Sequence, residues 1–466
     1  MISGPALLFL VLIIASVALY FFRRLEALAA CFASGISALI ATMLWRFPLA
    51  APVIIGGRPI MLGSPLGWEE LTLQITSSSR ALLVFLFAMA AAAFLLAAVA
   101  YQGRTFYPFG LLLLGIWAAV AMIQPLTYAP MGLVLAAIVS VFLIQAGKAG
   151  ETRGAWRQLL FPTLAVPLFL LAAWYMDQAP LNPDDLSPLG IAGWLLIAGF
   201  ILLLQPAPLH VALPPVAGQA PLVVAAFLWI GTQSTVLYLL QRFLVTYAWL
   251  GSTVDSGRWL LWLGVATALL GGTLSALQQR LGRFTGYAAL YDYGVVIVAM
   301  AIRGTAGLPT AIWLLLTRTF ALLTLATGVA LIRHYMASDR LDRISGSAAR
   351  LPWALTAVIV GGFSLVGLPM TAQFASRWAL LQLLSEIDSR WSLLLFIGGA
   401  GVLVGTLRAA RAGFGSLVES PVERESFLAA SACVVLVVLS VALGLFPQLL
   451  TGPVAAVILP LSTLGS

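Results

Sequence analysis

Apolar runs of similar length, parted by short stretches of charge, glycine or proline, follow one another along the chain. They fall at 5–22, 27–46, 80–100, 107–123, 126–147, 157–176 and 190–210. They continue at 219–243, 258–279, 284–302, 307–333, 352–386, 390–412 and 427–463. A helix needs about 20 apolar residues to cross the hydrocarbon core of a bilayer, so the pattern predicts about fourteen crossings. The run at 352–386 is long and interrupted, and the last one divides near Pro447. The predicted fold class is an all-α polytopic membrane protein with two broken helices.

Three stretches depart from plain helix. Residues 51–76 hold Gly56, Gly57 and Gly63 and end in the alternating run Leu71 to Ile75, which reads as a hairpin-like cap over the bundle. Residues 205–215 place four prolines beside His210, and Gly367 and Pro369 interrupt the twelfth run. Each internal proline removes an N–H and disrupts the helical ladder. Such breaks at membrane depth are tolerated only where protein or a water-lined cavity satisfies the freed groups. Paired broken helices in two halves of a chain point to transporter architecture with inverted repeats. The expected organisation is N-terminal spans over 1–104 and a first repeat over 105–248, broken near 206–215. A second repeat over 257–413, broken near 367–374, precedes the C-terminal span or spans of 427–466.

Composition supports the membrane reading: 62% of the 466 residues are hydrophobic and 9% charged, where soluble domains carry about 25% charged residues. A soluble enzyme, a disordered chain and a nucleic-acid binder are excluded. The net charge of +8 comes from 24 basic residues, all arginine except Lys148, against 16 acids. With the N-terminus outside and the spans alternating, fifteen of the basic residues fall in inner loops and seven in outer ones. That bias matches the positive-inside rule. The other two, Arg318 and Arg377, fall inside spans. Arg23 and Arg24 follow the first span at once, and no cleavage site is expected there.

Ionisable side chains inside spans are costly, and four stand out: His210, Asp292, Arg318 and Arg377. His210 either satisfies backbone freed by Pro206 and Pro208 or relays protons, a task its ordinary pKa near 6.5 suits. Asp292 lies nine residues beyond Arg283, roughly 13 Å along a helix and so near mid-membrane. Arg318 is its available partner, as a static tie or as a switchable site. Arg377 follows the break at Pro369 and either occupies a hydrated cavity or snorkels. These groups are expected to gather where the two broken segments face each other across a wet interior. Trp229, Trp259, Trp313 and Trp378 read as bundle filler or interface belt. Cys31 and Cys433 stand far apart in apolar runs, and no zinc, nucleotide, haem or iron–sulfur signature is present. No metal or cofactor is expected in this chain.

Three stretches carry a family resemblance. Pro208 to His210, Pro214 and Ala220-Pro221 resemble the broken seventh helix of the antiporter-like membrane subunits of NADH:quinone oxidoreductase (respiratory complex I) and of Mrp-type cation/proton antiporters. The N-type subunit of the quinone-reducing complex gives the strongest likeness. Gln279 to Gly294, with Arg283, Gly286-Tyr287 and Gly294, is similar to the family's tenth helix, and Phe363 to Trp378 looks like its broken twelfth helix. The resemblance implies a mid-membrane row of ionisable side chains, and this sequence departs from it. The fifth-helix glutamate falls near Gly132, the seventh-helix lysine at Leu203 and the eighth-helix lysine at Gln233 or Ser234. Arg377 replaces the twelfth-helix lysine, and Asp292 replaces the tenth-helix histidine or glutamine.

The implied function is a proton- or ion-translocating membrane subunit of a complex I-like or Mrp-type assembly, with pumping impaired by these substitutions. The alternatives are a non-pumping structural subunit of such a complex and a stand-alone carrier. The chain has no catalytic or redox site of its own. Its expected partners are other membrane subunits and the lipid bilayer, not nucleic acid. Its expected location is a bacterial inner membrane, with the N-terminus outside.

Overall fold

A computed structural model describes residues 2–55, 58–100, 102–146, 153–179, 187–253, 255–302, 306–416, 424–452 and 454–455. Helices α1 (Gly4–Phe21), α2 (Glu26–Arg46), α3 (Ser77–Ala97), α4 (Phe106–Met122) and α5 (Ala129–Gln145) open the chain. Next come α6 (Arg153–Gln178), α7 (Ser187–Leu204), the short α8 (Leu213–Gln219), α9 (Leu222–Thr246) and α10 (Trp249–Thr253). Then follow α11 (Ser256–Ala276), α12 (Leu281–Ala301), α13 (Gly307–Met336) and the four-residue α14 (Ser347–Arg350). The last are α15 (Pro352–Val366), α16 (Phe374–Ile387), α17 (Ser389–Gly413) and α18 (Phe427–Leu445).

Among the described residues, twelve helices have the length and apolarity to cross a membrane, against the fourteen spans expected. Phe106–Met122 and Pro352–Val366 are shorter apolar helices, and the second is the first half of the interrupted twelfth run. The final run holds one such helix, α18, followed by a single 3-10 turn at Pro447–Leu450. The rest of that run, from 456, lies outside the described residues.

The helices sort into an inner and an outer set. α9, α12 and α13 are buried along most of their length, whereas α1, α6 and α18 keep most of theirs on the surface. Exposed Leu10, Ile14, Leu164, Val435 and Val438 on the outer set are the apolar faces a bilayer covers. Close approach between helices relies on small residues. A Cβ added at Gly272 of α11 would stand 2.0 Å from the Gly398 carbonyl oxygen of α17.

Short strands fix which loops share a side. β1 (Ile2–Ser3), β2 (Val53–Ile55) and β3 (Arg58–Met61) form one sheet, in which β3 pairs antiparallel with β2 and parallel with β1. β4 (Leu66–Trp68), β5 (Leu71–Leu73) and β6 (Ile123–Gln124) form a second, antiparallel sheet. The hairpin-like cap is therefore two hairpins, tied to the N-terminus and to the α4–α5 connection. At the opposite ends of the helices, the α11–α12 turn bridges at Arg280 to Arg340, beyond α13.

Both expected fractures are present. α7 ends at Leu204, Gln205 adopts a φ of +48°, and helix resumes at Leu213, so the interruption covers 205–212. α15 ends at Val366 and α16 starts at Phe374, with Gly367 at φ +82° and Met370 at φ +63°.

Candidate functional site

The inner helices carry the polar centre. Gln233, Asp292 and Arg318 lie near the middles of α9, α12 and α13, and Arg377 is in the first turn of α16, just past the second fracture. Asp292, Arg318 and Arg377 are 0%, 1% and 5% exposed. Arg318 Nε stands 2.9 Å from Asp292 Oδ2. Arg377 Nη2 donates to the other carboxylate oxygen, Oδ1. One carboxylate thus joins two guanidinium groups, and the cluster keeps one net positive charge.

That surplus charge is met by neutral acceptors and rings. Arg318 Nη2 donates to Gln233 Oε1 and, at 3.4 Å, to the Ala289 carbonyl. Arg377 Nε donates to Gln373 Oε1 at 3.1 Å. The Arg318 guanidinium carbon lies 5.4 Å from the centre of the Tyr293 ring, and that of Arg377 lies 4.8 Å from Tyr291. Both distances are within cation–π range. Thr317 of α13 and Ser376 of α16 share a hydroxyl contact of 3.0 Å beside the cluster.

Proline chemistry explains why an arginine sits at the break. In a helix, the carbonyl of residue i accepts from the N–H of residue i+4. Leu365 would receive from Pro369, which has none. Arg377 Nη2 supplies the missing donor, 2.7 Å from the Leu365 oxygen. The chain end itself is closed by Gly367. Leu368 N bonds the Phe363 oxygen and Gly367 N bonds the Ser364 oxygen, the paired pattern of a Schellman cap. The junction between α8 and α9 repeats the device. Pro221 leaves the Ala217 carbonyl without a partner, and Arg333 Nη2 reaches it at 3.4 Å while Nη1 takes the Ala220 oxygen at 3.2 Å. Arg333 is in turn held by Asp339, 2.6 Å away.

His210 is elsewhere. It is half-buried, its ring centre lies 6.2 Å from that of Tyr287, and Arg153, Arg157, Arg280 and Arg283 surround the same cavity. Tyr287 precedes Asp292 by five residues, about 7.5 Å along α12. The expectation that all four groups gather in one interior is therefore corrected. Three meet, and His210 belongs to the arginine-rich end. The physical reason is the length of the first break, which carries residues 205–212 out of helix before His210 can project along the bundle axis. Arg377 does not snorkel, because Asp292 and the Leu365 carbonyl hold it, and it lines a cavity of about 290 Å³ with Gly367, Pro369 and Phe374.

The expected Asp292–Arg318 pair is present, and Arg377 is an additional partner. Sequence reasoning missed the amides. Gln233 was counted as a vacated lysine position, yet its oxygen faces a cation. Gln373 precedes Arg377 by four residues, one helical turn, a spacing that could have revealed the contact.

Residues 184–403, which contain both fractures and the whole cluster, match the family described as NADH:quinone oxidoreductase/Mrp antiporter, transmembrane. NADH-quinone oxidoreductase subunit N of Desulforudis audaxviator is 27% identical over 77% of this chain and 73% of its own length. Further subunit N relatives align over 43% and 49% of theirs. A chain of the membrane-bound sulfane sulfur reductase, an archaeal respiratory membrane complex, has a similar fold at a TM-score of 0.82. It shares 16% identity, and the likeness covers 99% of both chains. A chain of the Mrp complex from Dietzia sp. DQ12-45-1b gives a TM-score of 0.81 at 15% identity, covering 99% of this chain and 98% of that one. Over residues 184–403 the chain thus matches the NADH:quinone oxidoreductase/Mrp antiporter family, and over most of its length it is similar to a subunit N of NADH-quinone oxidoreductase.

Proposed function

We propose that this chain is an ion-translocating membrane subunit, moving protons in a complex I-like or Mrp-type assembly, and that the Arg318–Asp292–Arg377 cluster is its charge gate. The observation that carries the reading is one carboxylate of α12 shared by a cation of α13 and a cation of α16, just past the second fracture. Ionisable groups at membrane depth are expensive and are kept where ions or protons pass. Guanidinium holds its proton firmly, so the cluster acts through its field and not by releasing protons. Carriers of the proton are then water and neutral hydroxyls. Ser234, Tyr293 and Ser364 have buried hydroxyls without a hydrogen-bond partner among the described residues, each next to a residue that touches the cluster. The positive-inside rule supports arginine-rich ends facing the cytoplasm and an N-terminus outside, in the bacterial inner membrane that this reading implies.

The second reading, a structural subunit that seals a larger complex, is favoured by arginine at the position where the resemblance expects a titrating lysine. One experiment separates them. The chain is tagged, its parent assembly is purified gently and reconstituted in vesicles, and protons moved per electron are counted with Arg377→Gln. Co-purifying redox or antiporter subunits and a lowered stoichiometry at retained electron transfer are the expected results. An unchanged stoichiometry establishes the structural role, and recovery of the chain alone establishes a stand-alone carrier.

A further inference from the structure

At the arginine-rich end, a cavity of about 470 Å³ opens beside the first fracture. Its lining includes Arg153, Arg157, Arg280 and Arg283, together with His210 and Tyr287, and no carboxylate among the described residues. Among the described residues, Asp339 is already paired with Arg333, and Asp342 with Arg340. The imidazole Nδ1 of His210 is buried without a hydrogen-bond partner.

The position of the arginines is the second argument. Arg153 and Arg157 begin α6, while Arg280 caps α12 and Arg283 stands in its first turn. Neither helix has an acidic residue in its first turn. A helix N-terminus carries partial positive charge, so these arginines add like charge to like. Two helices that both accept this arrangement around one cavity leave, among the described residues, a positive field that suits an anion, with Arg157 Nη1 also donating to the Val211 carbonyl at 3.3 Å.

We infer that this cavity binds a phosphate-bearing anion, held by the four guanidinium groups with the His210 imidazole at its floor. Guanidinium forks match phosphate oxygens in pairs. The cavity is lined by the starts of α6 and α12, the ends of two helices long and apolar enough to cross a membrane, where such an anion arrives either as the headgroup of an acidic phospholipid or as free phosphate. A basic pocket between transmembrane helices suits the first. The inference does not depend on whether the chain moves protons.

The test uses the purified full chain, in its assembly, in phosphatidylcholine vesicles containing a minor share of labelled phosphatidylglycerol. Radiolabelled inorganic phosphate is measured separately on the same preparations. The variants are R280Q/R283Q, R153Q/R157Q and the control R343Q, which removes an exposed arginine outside the cavity. All five substituted arginines are exposed, and a melting curve checks each variant. Retention of phosphatidylglycerol over phosphatidylcholine, falling roughly fivefold per arginine removed in either double variant and unchanged in R343Q, identifies a lipid headgroup. The same pattern with inorganic phosphate alone identifies a soluble anion. Binding of neither probe overturns the site, and so does an equal loss in R343Q, which would mean general surface charge.

Discussion

At the scale of single residues, Asp292 differs from its two partners in what its loss leaves behind. Removing its charge strands two buried cations, whereas removing Arg377 leaves a neutral Asp292–Arg318 pair. Breaking a buried ion pair from one side costs roughly 3–5 kcal/mol. Asp292→Asn is therefore expected to destabilise the chain by about that much. Arg377→Gln is expected to cost about 1–3 kcal/mol, for the Leu365 carbonyl it leaves unpaired. Thermal unfolding in detergent checks the order, and equal melting temperatures for the two variants would refute it. Asp292, Arg318 and Arg377 were all visible in the sequence, because each is an ionisable group inside an apolar run. Their grouping was only half visible. Helical rise set the depth of Asp292 and made Arg318 its candidate partner, but the direction in which Arg377 turns after the fracture has no signature in spacing.

At the scale of elements, the second fracture is built from a glycine and a proline with separate tasks. Gly367 supplies the left-handed turn that ends α15, and Pro369 frees the carbonyl that Arg377 takes. A Cβ added at Gly367 would lie 2.5 Å from Arg377 Cγ. Gly367→Ala thus combines a left-handed φ with a clash against the cluster's own cation. Its expected cost is about 1–3 kcal/mol, with a fall in proton stoichiometry like that of Arg377→Gln. A melting temperature and a stoichiometry both equal to those of the parent chain would show that the turn does not position Arg377. The sequence pattern located both fractures because proline and glycine interrupt a long apolar run openly. It did not foresee that an arginine takes the carbonyl freed by Pro369, nor that Arg333 does the same at the α8–α9 junction, since Arg333 lies 113 residues from Ala220 along the chain.

At the scale of the whole molecule, the strand pairings put the N-terminus, the α2–α3 connection and the α4–α5 connection on one side. With the arginine-rich ends facing the cytoplasm, a tag fused to the N-terminus is expected to be cut by protease added to spheroplasts. Protection of the tag in intact spheroplasts, and cutting only after lysis, would reverse the orientation. The sequence by itself determined that the chain lives in a bilayer, where its helices break and which few charges enter the apolar phase. Those facts follow from the solvent: hydrocarbon demands apolar runs of fixed length and makes each proline and each charge conspicuous. Only the tertiary structure decided that Asp292 holds two arginines, that Gln233 faces one of them, and that His210 stands apart among the arginines of the other end. These depend on how helices distant in sequence turn their faces toward one another, and in a chain that is apolar on nearly every face, hydrophobic periodicity carries little record of that choice.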